Sequence, residues 1–171
     1  MRDFVLMLRA RLVLLEKAIS GCLIFALMLI VFWGVLERYL LQSSSGWTDE
    51  TARYVCIWGV MIGASIGVVR GSHIGVDVLI YMLPTRWQFV LAKIVYAICG
   101  VFCLWIVAVG STLVTKLFTI MQLTATLEIP IGYMYLALPV GFALMALHFV
   151  LQFYLADIDC AKASNKEGAP L

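Results

Sequence analysis

The feature that most constrains this chain is a set of four long stretches without a charged residue, at 18–36, 54–69, 94–115 and 129–156. A helix needs about 20 predominantly apolar residues to cross the hydrocarbon core of a bilayer. The second stretch is the shortest, but its helix can start earlier, near Asp49. Soluble domains are about 45–50% apolar and about 25% charged. Here 64% of 171 residues are hydrophobic and 13% are charged. A soluble fold of this size has too much surface to hide so many apolar side chains. The expectation is an all-α membrane protein with four long, tilted transmembrane helices at 18–41, 49–71, 87–121 and 129–156.

The flanks complete a single membrane domain over 1–171. Residues 1–17 form an amphipathic lead-in, with Phe4, Leu8, Leu12 and Leu15 on one face and Arg2, Arg9 and Arg11 supplying charge. It either lies on the membrane surface or extends the first span. A cleaved signal peptide is not expected, because its apolar core would be about 7–15 residues long. Residues 74–84 read as a short cytoplasmic interfacial segment, and 157–171 as a polar cytoplasmic tail that frays. Basic residues set orientation. Nine of them (Arg2, Arg9, Arg11, Lys17, Arg70, Arg86, Lys93, Lys162 and Lys166) fall on one side, against Arg38, Arg53 and Lys116 on the other. Both termini are therefore expected in the cytoplasm. A net charge of +2 is too small to suggest a nucleic-acid partner.

Polar residues concentrate between Trp47 and Pro84. Thr48 is a candidate N-cap for the second helix, with Asp49 and Glu50 in its first turn. Glu50 and Arg53 can pair on one helix face, and Glu37 can reach Arg53 across helices. Gly59, Gly63, Gly67 and Gly71 recur every four residues, with Ala64 beside them, and allow another helix to approach closely. That helix belongs either to this chain or to another subunit. His73 and Asp77 are four apart and would meet on a helix; a bond bracing the loop is favoured over a pH switch. Thr85 and Gln88 resemble a capping box for the third helix. Toward its far end Ser111, Thr115 and Thr119 form a polar stripe that either faces another chain or bonds to its own backbone. Pro130 fits the start of the fourth helix, and Pro139 should kink it. Trp47, Tyr133 and Tyr135 suit an outer aromatic belt. Arg86 and Lys93 are candidate contacts for phospholipid headgroups.

Enzyme chemistry finds no foothold. Cys99 and Cys103 share a helix face, but there is no CxxC pair, and Cys22 and Cys56 lie inside spans. His73 belongs to a connection and His148 to a span, which does not suit a bis-His haem. No zinc cluster, HExxH or P-loop is present, and no cofactor is expected. An autonomous transporter would need interrupted helices and polar groups near the midplane, whereas charges here gather at the ends of the spans.

The succession Trp47, Glu50, Arg53, Trp58, Gly63-Ala64, Arg70, His73-Ile74, Asp77 and Leu83-Pro84 resembles the small integral-membrane subunit of TRAP (tripartite ATP-independent periplasmic) transporters. Ile129-Pro130, Tyr135 and Leu138-Pro139-Val140-Gly141 are similar to that family's last span. The resemblance implies an inner-membrane subunit acting beside two partners. One is a large membrane subunit that holds the substrate and sodium sites and moves by an elevator motion. The other is a periplasmic substrate-binding protein that delivers an organic acid. The small subunit would be a scaffold for the first and a docking aid for the second, at Ser43 to Glu50 and Gln122 to Glu128. It would hold no substrate or sodium ligand of its own. Sialic acid and C4-dicarboxylates are both cargoes the resemblance implies; the reading leans to sialic acid, without a residue that decides it.

Overall fold

A computed structural model describes residues 2–42, 46–69 and 85–167, with side chains over 5–42, 46–69, 90–91 and 93–155. The protein is helical: α1 (Arg2–Tyr39), α2 (Gly46–Val69), α3 (Thr85–Ile120), the short α4 (Gly132–Tyr135) and α5 (Ala137–Glu167). Four candidate spans, Val5–Tyr39, Gly46–Val69, Lys93–Ile120 and Gly132–Leu155, are long and apolar enough to cross a membrane. The protein is a multi-pass membrane protein.

The first helix absorbs the lead-in. Arg2–Tyr39 is one element of 38 residues. At 1.5 Å per residue that is about 57 Å, well beyond a core of about 30 Å. The 36 residues of α3 exceed it similarly. Such helices must tilt or project beyond the core.

The helices form an open row. α1 packs on α2, α2 on α5, and α5 on α3; the backbones of α1 and α2 do not come close to that of α3 among the described residues. A closed bundle would bury one stripe of every helix around a shared centre. A row leaves two broad faces instead, and along α1 Leu14, Phe25, Met28 and Phe32 are exposed. Lipid or protein must cover those faces, since exposed apolar area on this scale does not face water.

Small residues set the spacing in the row. A Cβ on Gly141 of α5 would lie 2.8 Å from Cβ and 3.3 Å from the carbonyl oxygen of Met61 on α2. A Cβ on Gly34 of α1 would lie 2.9 Å from Cγ2 of Thr48. Where the end of α2 meets α5 and α3, Val68, Cys103, Ala146 and Phe149 make the buried cluster, with Tyr96, Cys99, Phe142 and Met145 packed against it.

Three boundaries differ from the sequence expectation. The second helix begins at Gly46, so Thr48 lies inside it and does not cap it. The fourth span is interrupted at Leu136, which keeps helical torsions (φ −63°, ψ −23°) between α4 and α5. Pro139 is the cause: lacking an N–H, it cannot bond the carbonyl of Tyr135 four residues back. The ladder restarts with Val140 N–H donating to the Leu136 carbonyl at 3.2 Å. The expected effect of the proline thus falls just before it, near the helix start. Finally, α5 continues to Glu167 where fraying was expected after 156.

Candidate functional site: two polar clusters along the row

Polar contacts gather in two places. One is the end that carries the connections around 42–46 and 121–131, called here the loop end. The other lies between the helices nearer the chain termini.

At the loop end, α1 and α2 are stitched by side chains. The Thr48 hydroxyl donates to Glu37 Oε2 at 2.9 Å, and Thr48 is buried against the space Gly34 leaves open. Arg38 donates to Asp49 at 3.4 Å in an exposed pair. Glu37 therefore bonds Thr48, not the expected Arg53, and Arg38 takes the neighbouring carboxylate.

Glu50 likewise turns away from the expected partner Arg53. Its Oε1 accepts from the Tyr54 hydroxyl one turn along the helix. Its Oε2 accepts the backbone N–H groups of Thr126 at 3.0 Å and Leu127 at 3.1 Å. Those residues form the tip of the 121–131 connection. Below the tip, Thr124 N–H donates to the Ile129 carbonyl at 2.9 Å, and Ile131 N–H to the Gln122 carbonyl at 2.9 Å. Ile129 N–H also donates to the Thr124 hydroxyl at 3.2 Å. Met121 and Glu128 adopt left-handed backbone torsions, with φ of 51° and 54°. Non-glycine residues enter that region at a cost, so bonds elsewhere in the connection must hold it. The first residue of α2 also touches the tip: a Cβ on Gly46 would lie 3.1 Å from the Thr126 hydroxyl.

The second cluster joins three helices. Glu16 of α1 is buried, with both carboxyl oxygens at 2.9 and 3.0 Å from Nε2 of His148 on α5. The Ser65 hydroxyl of α2 lies 3.0 Å from Glu16 Oε2 and 2.7 Å from the Ile62 carbonyl. Ser65 and His148 are among the most fully buried side chains. Nδ1 of His148 is buried without a hydrogen-bond partner among the described residues. Toward the termini, Arg9 reaches the Val69 carbonyl at 3.2 Å and Gln152 the Val68 carbonyl at 2.9 Å. These two side chains tie α1 and α5 to carbonyls in the last described turn of α2. In the other direction the Ser20 hydroxyl meets the Gly59 carbonyl at 3.4 Å.

The remaining expected residues scatter along the row. Gly59 and Gly63 face α1, where added Cβ atoms would meet Leu23 at 3.6 Å and the Ser20 hydroxyl at 3.4 Å. That part of the glycine face packs inside the chain. Trp58 and Gly67 are half-buried, while Arg53, Ala64 and Trp47 are exposed. Ser111, Thr115 and Thr119 are exposed on α3, and their hydroxyls return to its own carbonyls, those of Ala108, Thr112 and Thr115. Pro130 bridges to Leu123 just before α4. Tyr133 stacks edge-on against Phe118, their ring centres 5.2 Å apart. Lys93 sits 6.0 Å over the Phe153 ring. Arg70, Gly71, His73, Asp77, Pro84 and the 74–84 segment lie outside the described residues, as do the side chains of Thr85, Arg86 and Gln88. No group of three or more His, Cys, Asp or Glu side chains suited to a metal ion occurs among the described residues.

Residues 27–157 match the family model described as the DctQ component of tripartite ATP-independent periplasmic transporters. The chain belongs to that family. It is 35% identical over 97 residues to the C4-dicarboxylate TRAP transporter small permease protein DctQ of Vibrio cholerae, covering 57% of this chain and 41% of that one. It is 26% identical over 144 residues to the isethionate TRAP transporter permease protein DctMQ of Oleidesulfovibrio alaskensis, covering 79% of this chain and 22% of that larger protein. Over 72 residues it is 29% identical to the sialic acid TRAP transporter small permease protein SiaQ of Vibrio cholerae, covering 42% of each. The aligned parts thus span less than half the length of each of these relatives. All are transporter permease proteins, not enzymes.

Sequence reasoning missed Glu16 and His148 as a pair. The available signal was His148 itself: a polar ring within an otherwise uncharged run needs a partner. Glu16, one residue before the basic Lys17 that bounds the first run, is that partner, on α1 beyond α2 in the row.

Proposed function

We propose that this chain is the small membrane subunit of a sodium-coupled TRAP transporter importing a small organic acid. It acts as a scaffold for a large membrane subunit and helps seat a periplasmic substrate-binding protein. It lies in the bacterial inner membrane with both termini in the cytoplasm, so that the loop end faces the periplasm.

The single observation that carries this reading is the open row of helices. The described helices stand in a row and enclose no central space between them. Its two broad apolar faces suit lipid on one side and a second membrane protein on the other. Among the described residues, Glu16, Ser65 and His148 bond to one another between the spans, with His148 Nδ1 left without a partner. The named cargoes of the relatives, C4-dicarboxylate, isethionate and sialic acid, are all organic anions. Sodium coupling and substrate contacts fall to the large subunit. The exposed α3 hydroxyl residues Ser111, Thr115 and Thr119 are candidate packing positions for it, and Arg86 and Lys93 remain candidate headgroup contacts.

Co-expression with a tagged large subunit tests the assignment. A stable complex with equal numbers of the two subunits is expected after detergent extraction and size-exclusion chromatography. Recovery of this chain alone, folded and monodisperse, from cells that contain both would count against it.

A further inference from the structure

We propose that the groove between α1 and α2 is a binding site for one zwitterionic phospholipid of the phosphatidylethanolamine class, seated from the loop end. This goes beyond the reading above, which names headgroup contacts only at Arg86 and Lys93. Only the choice of leaflet, the outer one, rests on that reading's orientation.

The groove is one continuous trough. On α1 its lining recurs every three or four positions from Ser20 through Leu27 and Val31 to Arg38, and on α2 from Asp49 through Cys56 and Val60 to Gly63. That spacing keeps the lining on one face of each helix. Near the mouth the floor is closed by Thr48, buried against Gly34. Deeper in, where Gly59 and Gly63 carry no side chains, the groove opens to about 280 Å³, against about 150 Å³ at the mouth. The deep part is apolar apart from the Ser20 hydroxyl, which meets the Gly59 carbonyl. Ile24 and Val60 are exposed along it.

The mouth selects the occupant. Arg38 and Asp49 line it side by side, largely exposed and joined by one contact of 3.4 Å. That contact occupies one guanidinium nitrogen of Arg38, and the planar fork of N–H donors that remains suits a phosphate. The Asp49 carboxylate beside it suits a primary ammonium. A positive and a negative group in contact thus complement a headgroup that carries both. An anionic glycerol headgroup would bring no cation to Asp49, and a choline ammonium has no N–H to donate. Tyr39 at the mouth and Trp47 are exposed, as aromatic residues at headgroup depth are. Length agrees as well. From Arg38 back to Ile24 is 14 residues, or about 21 Å of helix. Half a bilayer, headgroups included, is about 20–22 Å thick. A lipid with its phosphate on Arg38 therefore lays one acyl chain along the groove as far as Ile24.

The test is photolabelling of the full chain, co-expressed with the large subunit and placed in proteoliposomes. The probe is phosphatidylethanolamine with a diazirine on one acyl chain, and the labelled peptides are mapped by mass spectrometry. Label is expected on 24–35 of α1 and 52–60 of α2. Unlabelled phosphatidylethanolamine should displace it at about one tenth the concentration needed of phosphatidylcholine or phosphatidylglycerol with the same chains. Arg38→Ala should cut labelling of these peptides about tenfold. Asp49→Asn should remove only the advantage of the ethanolamine headgroup over choline. Val60→Trp, which fills the groove and leaves the mouth intact, should abolish the label. Equal displacement by all three lipids, or labelling unchanged in both Arg38→Ala and Val60→Trp, would overturn the proposal and leave ordinary contact with bulk lipid. A groove that takes no label in the complex and cross-links to the large subunit from Val60 would also overturn it, because protein then covers this face.

Discussion

Glu16 and His148 meet face to face between helices that barely touch, Nε2 lying 2.9 and 3.0 Å from the two carboxyl oxygens. α1 and α5 are separated by α2 along most of the row. The pair spans that gap at the level of the buried Ser65, whose hydroxyl lies 3.0 Å from Glu16 Oε2. It therefore ties α1 directly to α5, in addition to the packing of α1 on α2.

His148→Ala should destabilise the protein by about 1–3 kcal/mol, the cost of leaving a buried polar partner without its bond. Glu16→Ala should cost a similar amount. Because the two residues share one interaction, Glu16→Ala/His148→Ala should cost less than the sum, with a coupling of about 0.5–3 kcal/mol. Equilibrium unfolding in mixed micelles gives the four values. Additive losses would show that the pair contributes no coupling.

Gly141→Ala should be far more damaging than Gly59→Ala. The first places a methyl 2.8 Å from Met61 Cβ, an atom next to the backbone that cannot swing aside. The second places one 3.6 Å from Leu23, an ordinary contact. Forced expansion of a packed interface costs about 1–3 kcal/mol, so a clear drop in thermal stability is expected for Gly141→Ala and little change for Gly59→Ala. Gly63→Leu is intermediate in position, 3.4 Å from the Ser20 hydroxyl. Its larger side chain should weaken assembly by spreading α1 from α2, as measured by yield of the two-subunit complex.

Arg38→Ala should change stability by less than about 1 kcal/mol. Its bond to Asp49 joins side chains that are 60% and 72% exposed, so water and salt screen it. The same unfolding assay separates this pair from Thr48 and Glu37 next to it, where burial makes the hydroxyl–carboxyl bond count for more.

The spans were legible in the sequence because uncharged length is a direct consequence of the bilayer solvent. Their ends were less so. Thr48 looked like a cap because hydroxyl residues before acidic ones often are, but its hydroxyl found Glu37 on the preceding helix. Pro139 announced a distortion correctly, while its place depended on where α5 begins. The partners of Glu50 and Glu16 were the hardest to see. Local spacing favours pairs three or four residues apart, such as Glu50 with Arg53 or Tyr54, and says nothing about a backbone tip 76 residues on. Such contacts follow from the order of helices in the row, which periodicity does not encode. The glycine repeat was half informative: Gly59 and Gly63 mark a close approach, and only the packed structure shows that α1 makes it.

Reconstituted uptake tests the central claim most directly. Sodium-gradient-driven accumulation of a labelled organic acid is measured in proteoliposomes with this chain, the large subunit and the binding protein, then with each left out. The account predicts uptake for the full set alone, and none from this chain by itself. Accumulation by proteoliposomes that contain only this chain would contradict it.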